Sequence, residues 1–279
     1  MAVRPRLALF AGALALLALP AQAAGVLEGL RPHRAVYDLT LEKAGSDSGI
    51  DSVSGRMVYE FTGSMCEGFA SSFRFVTRVG SSDGGFKLTD LRNTTFEDAA
   101  GKTFQFMSQT FVDQALADET KGSATREGDK VVVTLSKPEA KTATIDGHPY
   151  FPTGHLVKVI EAAEAGDRFA QVPLFDGSND GVTPISTTAV IGQKITGPEK
   201  PEGDEPKAVE KLGDGPRWPV TLSFFEKGDD KGGEQTPDYQ LSFLAYPDGV
   251  SRRMRLDYGS FTLSGSLSEI EFLEPTPCK

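Results

Sequence analysis

The residues best spaced for metal chemistry form one loop, 176–181, where Asp176, Ser178 and Asp180 stand at positions 1, 3 and 5 and a glycine at position 6. A calcium loop of the helix–loop–helix type begins this way, but it also needs a bidentate glutamate at position 12 and a helix on each side. Position 12 is Thr187, and neither flank has helical periodicity. The sequence therefore predicts a polar turn before a strand, and no metal site.

Two histidines, His148 and His155, are seven residues apart and lie on either side of the start of a predicted helix. A zinc site needs three or four converging ligands, and this spacing places the two rings on no common helical face. We expect no zinc at this pair. For His155 we expect a role at the helix terminus or on the surface.

Acidic residues supply the remaining candidate for hydrolytic chemistry. Glu60 and Glu97 could cleave a glycosidic bond if their carboxylates were correctly separated. Acids are common in this chain, however, and most carboxylates are solvated. The glycine-rich nucleotide motifs G-x-x-x-x-G-K-[ST] and G-x-G-x-x-G do not occur. We therefore predict no catalytic residue, no cofactor and no enzymatic activity.

The N-terminus has the pattern of a secretory signal in residues 1–23. Arg4 and Arg6 precede an apolar run of about 13 residues, and small residues end at Ala23. The run is shorter than the roughly 20 residues that span a bilayer. We expect cleavage near Ala23 and release of an exported, periplasmic protein that does not span the membrane.

Cys66 and Cys278 are the only cysteines of the chain. Thiols of exported proteins tend to pair in their oxidising compartment, which predicts a disulfide between these two. The alternative is a pair of free, buried thiols that behave as small hydrophobic groups. Cys278 is the penultimate residue, where a buried apolar site is hard to build. A disulfide would tie the C-terminal tail to the N-terminal third and would leave no thiol for catalysis.

Composition sets further limits on the class of protein. Of 279 residues, 39% are hydrophobic, and the formal net charge is −10. Such a chain can bury a core, whereas nucleic acids and anionic lipid headgroups require surplus positive charge in their partners. We expect no nucleic-acid partner.

Most of the mature chain alternates apolar and polar residues with period two, as in Met57, Tyr59 and Phe61. Turn residues separate these segments at the spacing typical of antiparallel structure. We predict a mainly β fold in residues 24–279. It would be a single domain built on one large antiparallel sheet of about a dozen or more strands that curls on itself, as a β-spiral or an open barrel, with one or two short helices.

Two segments depart from the β pattern. Over 153–166, apolar residues recur at i, i+3, i+4 and i+7 from Leu156, which predicts an amphipathic helix covering an open face of the curled sheet. Residues 197–216 contain four prolines, four glycines, six acids and no aromatic residue, which predicts a mobile loop that buries little. A second polar loop, 227–235, is predicted to be a hairpin tip. The candidate binding residues are Leu156, Val159, Ile160 and Trp218.

Several short segments, in their order and spacing, resemble the EipB-like family of alphaproteobacterial cell-envelope integrity proteins. The resemblance extends from residue 33 to 278, with the two cysteines in matching places, although Phe69 stands where the family pattern suggests tyrosine. It implies a spiral β-structure with a pair of short helices, a Cys66–Cys278 bridge and a role in maintaining the periplasmic envelope without an established enzymatic activity. The segments are 57–69, 151–155, 174–178, 218–220, 249–252 and 256–259.

Three functions follow from these observations. The first is a non-enzymatic periplasmic protein that supports cell-envelope integrity and stress resistance by binding an envelope protein or a hydrophobic envelope component at the curled sheet. The second is a periplasmic carrier of lipid or lipoprotein acyl chains, which needs a continuous dry cavity. The third is an envelope glycan hydrolase, which needs two converging carboxylates. The sequence favours the first.

Overall fold

A computed structural model describes residues 21–198, 200–225 and 236–278. Residues 1–20 of the predicted signal peptide 1–23, and the predicted hairpin tip 227–235, lie outside the described residues. The described elements, in chain order, are α1 Ala21–Gly29, β1 His33–Ala44, β2 Ile50–Ser64, β3 Gly68–Ser81, β4 Phe86–Glu97, β5 Thr103–Val112, β6 Ala115–Glu127, β7 Lys130–Lys137, β8 Lys141–Asp146, α2 Pro152–Ala165, β9 Phe169–Gln171, β10 Ser186–Ile191, α3 Pro206–Glu210, β11 Trp218–Phe225, β12 Tyr239–Ala245, β13 Ser251–Asp257 and β14 Phe261–Phe272.

The described strands form one sheet of fourteen strands in the order β8-β7-β6-β5-β4-β3-β2-β1-β14-β13-β12-β11-β10-β9, with every neighbouring pair antiparallel. The first strand, β1, pairs with both β2 and β14, so it joins two long meanders. The edge strands of the sheet are β8 and β9. A parallel bridge between Tyr150 and Leu174 links the segments that follow them, which shows that the sheet curls. The predicted mainly β, curled antiparallel fold is confirmed, with three short helices in place of one or two.

The apolar residues of each meander face inward because alternation places them on one side of the sheet. On β2, Met57 and Phe61 are buried, and they lie opposite Tyr37 and His33 of β1. Hairpin turns separate most strands; one of them contains Gly259, whose φ of +78° suits glycine.

The interior of the curl is packed with side chains. Phe104 and Phe106 of β5 contact Phe151 and Phe175, with ring centroids 5.0 to 6.2 Å apart. The loop that follows β9 crosses to this half of the sheet so closely that a Cβ on Gly177 would overlap the Phe106 ring. The loop 176–181, predicted to be a polar turn, is therefore packed closely between the two ends of the sheet.

The described residues of 197–216, all but residue 199 and called the strap below, correct the expectation that this segment buries little. Its carboxylate Asp204 is buried and lies 3.0 Å from the guanidinium of Arg252, whose side chain is also buried. Helix α3 places Ala208 in the cluster around Tyr37. The composition predicted little burial because the segment has few apolar residues. In the structure, a buried ion pair takes the place of the apolar side chains that usually hold a loop on the core.

Candidate functional site

Helix α2 begins with Pro152, whose fixed φ and missing N–H suit the first helical turn. It ends at Gly166, which has a φ of +84° and donates its N–H to the carbonyls of Ala162 and Ala163. The observed helix, Pro152–Ala165, is shifted by one residue from the predicted 153–166. The residue before the helix is Phe151, and its side chain makes no capping hydrogen bond.

One side of α2 is part of the core. Val159 packs in the same buried cluster as Trp218, and Ile160 packs with Phe61 and with residues of α1. Leu156 is partly buried beside them. The four candidate binding residues thus lie in packed clusters rather than on an open surface, and their role in binding stays a prediction.

A second side of α2 faces a cleft of about 350 Å³. This side is a single stripe of the helix, because its residues are spaced at i, i+3, i+4 and i+7. They are Gly154, Val157, Lys158 and Glu161. The opposite wall comes from the β4–β5 turn, from β6 and from the segment before α2. The other lining residues are Leu27, Phe69, Glu97, Asp98, Ala99, Ala100, Gly101, Arg126, His148, Tyr150, Phe151 and Thr153.

Glu97, the last residue of β4, is the buried acid of this cleft, with 5% of its surface exposed. Its carboxylate accepts the backbone N–H groups of Thr153 at 2.8 Å and Gly154 at 3.2 Å, in the first turn of α2. Those hydrogen bonds and the helix dipole favour the charged form. Burial outweighs them and raises the pKa of Glu97 from 4.5 to about 7.

Arg126 of β6 faces the same cleft. Its guanidinium donates to the carbonyl of Gly101 at 3.2 Å and to the carbonyl of Pro149 at 2.9 Å, and it lies 5.1 Å from the centre of the Phe151 ring. On the helix side, the Lys158 ammonium donates to Glu161 at 2.7 Å. The cleft therefore combines an apolar floor with charged groups of both signs.

The predicted carboxylate pair does not converge. Glu97 lies in the sheet row that also contains Gly63 and Phe69, whereas Glu60 lies in the row of Ser72, three positions along β2. Side chains three positions apart on a regular strand point to opposite faces. Glu60 and Glu97 therefore cannot act together on one glycosidic bond.

The two histidines have separate partners. His155 is buried, and its Nε2 lies 2.8 Å from the hydroxyl of Thr187, which itself donates to the carbonyl of Val172 at 2.5 Å. Burial lowers the pKa of His155 to about 4. Of the two roles expected for His155, the surface role is wrong because the ring is buried, whereas the residue does lie in the first turn of α2. His148 is half-exposed and lies 2.9 Å from a carboxylate oxygen of Asp129.

The carboxylates of the loop 176–181 accept hydrogen bonds from the backbone of the same loop. Asp176 accepts the N–H of Ser178 at 2.9 Å, and Asp180 accepts the N–H groups of Val182 and Thr183 at 3.0 and 2.8 Å. Among the described residues, no three histidines, cysteines or acids are grouped so that they could hold a metal ion. The loop has the hydrogen bonding of a polar turn.

One G-x-S-x-G string occurs, at residues 80–84 around Ser82. In hydrolases this string forms a sharp strand-to-helix turn that exposes the serine. Here it lies in the hairpin between β3 and β4, and the N–H of Ser82 donates to the carbonyl of Gly49. The string therefore lacks the structural context of a nucleophile.

The structure brings Cys66 and Cys278 together, with their Cα atoms 5.4 Å apart in a disulfide. Cys66 lies in the turn between β2 and β3, and the tail that follows β14 reaches it beside Gly63, whose carbonyl accepts the N–H of Thr276 at 3.3 Å. Formation of this bond in the exported protein stays a prediction.

Replacing the buried acid in Glu97→Gln is expected to remove part of the pH dependence of stability. Because the folded-state pKa is raised to about 7 from 4.5, the wild type loses stability as pH rises through this range, by about 3 kcal/mol. Urea unfolding at pH 5, 6, 7 and 8 should show a shallower decline in the variant.

His155 acts in the opposite direction, since its lowered pKa makes the protein less stable as pH falls from 6.5 to about 4. Both proteins contain His155, so the difference between their pH profiles isolates Glu97. Glu60→Gln, on the other face of the sheet, is the matched control and should leave the profile unchanged. Equal slopes for wild type and Glu97→Gln would refute the burial argument.

Sequence reasoning named Glu97 but missed its position at the start of α2, and it missed Arg126 altogether. Glu97 and Thr153 are 56 residues apart, and no local pattern reports such a contact. The helical periodicity that predicted the buried side of α2 also places small and charged residues on a second side. The sequence could therefore have indicated the stripe formed by Gly154, Val157, Lys158 and Glu161.

No helix in the described part of the chain is long and apolar enough to cross a membrane. The EipB-like family model matches residues 24–274. The chain is 43% identical over 245 residues to the cell envelope integrity protein EipB of Brucella abortus strain 2308, covering 88% of this chain and 85% of that protein. A crystal structure of a beta-barrel-like protein of the domain of unknown function DUF1849 from Brucella abortus superposes with a TM-score of 0.80 at 44% identity, over 88% of this chain and 99% of that one. The chain belongs to the EipB-like family, and its relationship to EipB supports a role in the integrity of the cell envelope.

Proposed function

We propose that this chain is a non-enzymatic periplasmic binding protein that supports envelope integrity through the cleft beside α2. The observation that carries the proposal is the cleft itself: about 350 Å³ of space between α2 and the sheet, with an apolar floor and a buried carboxylate. Concave sites with a few placed polar groups are the usual ligand sites of proteins. The Brucella relative is named as a cell envelope integrity protein, which supports envelope integrity as the process in which such binding would act.

The cleft, rather than the core stripe of α2, is the proposed contact surface. Val159, Ile160 and Trp218 are each at most 4% exposed, so a ligand could reach them only if α2 left the sheet. Gly154 and Lys158 line the cleft without any such movement. The proposed partner is an envelope component that fits into the cleft, either as a whole or with one end.

A carrier of acyl chains is less well supported. It needs a long apolar cavity, whereas the rings of Phe104, Phe106, Phe151 and Phe175 fill one half of the curl. A cleft of about 350 Å³ is also near the lower limit of about 300 Å³ for small-molecule sites.

Export is tested by cell fractionation and N-terminal sequencing of the mature protein. We expect recovery from the periplasm with Ala24 as the first residue. This cleavage falls inside α1, and it leaves the buried residues Val26 and Leu30 in the mature chain. A cytoplasmic product that begins at Met1 would contradict the proposed location.

Binding at the cleft is tested by native mass spectrometry of protein released gently from the periplasm. We expect a bound small molecule on the wild type and none on Ala99→Trp, because the larger side chain fills the cleft from its wall. Ala115→Trp is the matched control, since Ala115 is exposed at the start of β6. An adduct that persists on Ala99→Trp would place binding elsewhere.

A further inference from the structure

Building on the proposed binding function, we propose that the cleft takes a small zwitterion with an apolar side group, the size of an amino acid or a dipeptide. Glu97 would receive its ammonium group and Arg126 its carboxylate. The apolar group would lie on the floor formed by Leu27, Phe69 and Val157.

The first observation is a buried acid without a cation. Glu97 accepts hydrogen bonds only from uncharged groups at the start of α2, and no lysine, arginine or histidine of the described residues forms an ion pair with it. The like charge of Asp98 also acts on it. A carboxylate has about four lone pairs, and this one binds the N–H groups of Thr153 and Gly154 and the Thr153 side chain, so an acceptor remains for an incoming ammonium.

The second observation is a cation without an acid. Arg126 donates to the backbone carbonyls of Gly101 and Pro149, its Nη1 lies 3.5 Å from Nδ1 of His148, and it forms no ion pair with any acid of the described residues. These carbonyls and the Phe151 ring fix the plane of the guanidinium. A fixed guanidinium suits a carboxylate, which it can bind through two parallel hydrogen bonds.

The two groups are neighbours that do not neutralise each other. Gly101 lies between them: its carbonyl accepts the Arg126 Nε–H at 3.2 Å, and Glu97 Oε1 is 3.7 Å from the position of a Cβ on Gly101. Among the other charged groups of the cleft, Lys158 and Glu161 are paired with each other, and Asp98 accepts backbone N–H groups of its own turn. The cleft thus presents one negative and one positive side chain that do not pair with each other. A ligand with both an ammonium and a carboxylate complements this arrangement.

The size of the cleft selects a small occupant. A cavity of about 350 Å³ is at the low end of the range of about 300–1,000 Å³ for ligand sites. A free amino acid or a dipeptide brings both charges and an apolar group in that space, whereas a phospholipid would leave its chains outside. The stacked rings of Phe61 and Phe69, 5.3 Å apart, keep the floor apolar.

Isothermal titration calorimetry of the mature protein tests the charges from the ligand side. The probes are alanyl-phenylalanine, its N-acetyl derivative and its C-terminal amide. We expect binding of the free dipeptide and a loss of about tenfold or more in affinity on blocking either end, because each block removes a charge-assisted hydrogen bond. Equal affinity for all three probes, or no binding of the free dipeptide, overturns the proposal.

The protein side is tested with Glu97→Gln and Arg126→Gln, and with Glu60→Gln as the control on the opposite face. Glu97→Gln should weaken the free dipeptide but not the N-acetyl form, and Arg126→Gln should weaken the dipeptide but not its amide. A stronger response to short-chain phosphatidylethanolamine than to the dipeptide would replace this proposal with a lipid headgroup. If an adduct from the periplasm is lost in Ala99→Trp although no zwitterion binds, the cleft is the site and only the ligand class is wrong.

Discussion

The double variant Cys66→Ser/Cys278→Ser is expected to unfold with a free energy lower by up to about 5 kcal/mol than that of the oxidised wild type. The disulfide closes a loop with a sequence separation of 212 residues, and a long loop lowers the entropy of the unfolded chain most. Strain and residual unfolded structure make this figure an upper limit. The β-structure should survive, because the sheet buries a large core without the tail.

Urea unfolding of both proteins, with and without reductant, measures the effect. Reductant should lower the stability of the wild type to that of the variant and leave the variant unchanged. Thiol labelling of denatured protein from the periplasm, without reductant, should find no free cysteine. Two reactive thiols in that protein would contradict the pairing.

Replacement of the buried acid in Asp204→Asn should destabilise the protein by about 3–5 kcal/mol, because it removes the negative charge of Asp204 from a buried ion pair with Arg252. The side chains of the pair are 0% and 1% exposed, and their charged atoms are 3.0 Å apart. Asp204 also accepts the backbone N–H of Leu267 on β14 at 2.6 Å, so the same carboxylate ties the strap to the sheet.

Asp38→Asn is the matched control. Its ion pair with Arg56 is half-exposed, with side chains 48% and 61% accessible, and such surface pairs contribute about 0–1 kcal/mol. Limited proteolysis gives a second measurement: the strap should resist cleavage in the wild type and be cut first in Asp204→Asn. Cleavage of the strap in the folded wild type at the rate of an unfolded segment would contradict this expectation and support the prediction of a mobile loop.

Local features of this protein were readable from its sequence. Period-two alternation, as at Met57 and Phe61, predicted strands because one face of each is buried, and turn residues placed the hairpins. The helix from Pro152 was found within one residue because its apolar spacing and Gly166 mark its length and its end. These features depend on neighbours a few residues apart.

The strap and the cleft depend on contacts between distant segments. Asp204 lies 48 positions before Arg252 in the sequence, and composition alone gave no sign that its charge is buried. Glu97 and Arg126 lie near each other because β5 pairs with both β4 and β6, but α2 reaches them from a segment 56 residues away from Glu97. The register of the strands also places Glu60 and Glu97 on opposite faces of the sheet, which composition alone does not show.

Survival of cells in detergent tests the central claim, that the cleft supports envelope integrity, most directly. A strain that lacks this protein would be complemented with wild type, Ala99→Trp or Ala115→Trp, each at equal periplasmic level and with equal thermal stability. We predict that wild type and Ala115→Trp restore survival and that Ala99→Trp survives no better than the empty vector. Full restoration by Ala99→Trp would contradict the account, because the protein would then work with its cleft filled.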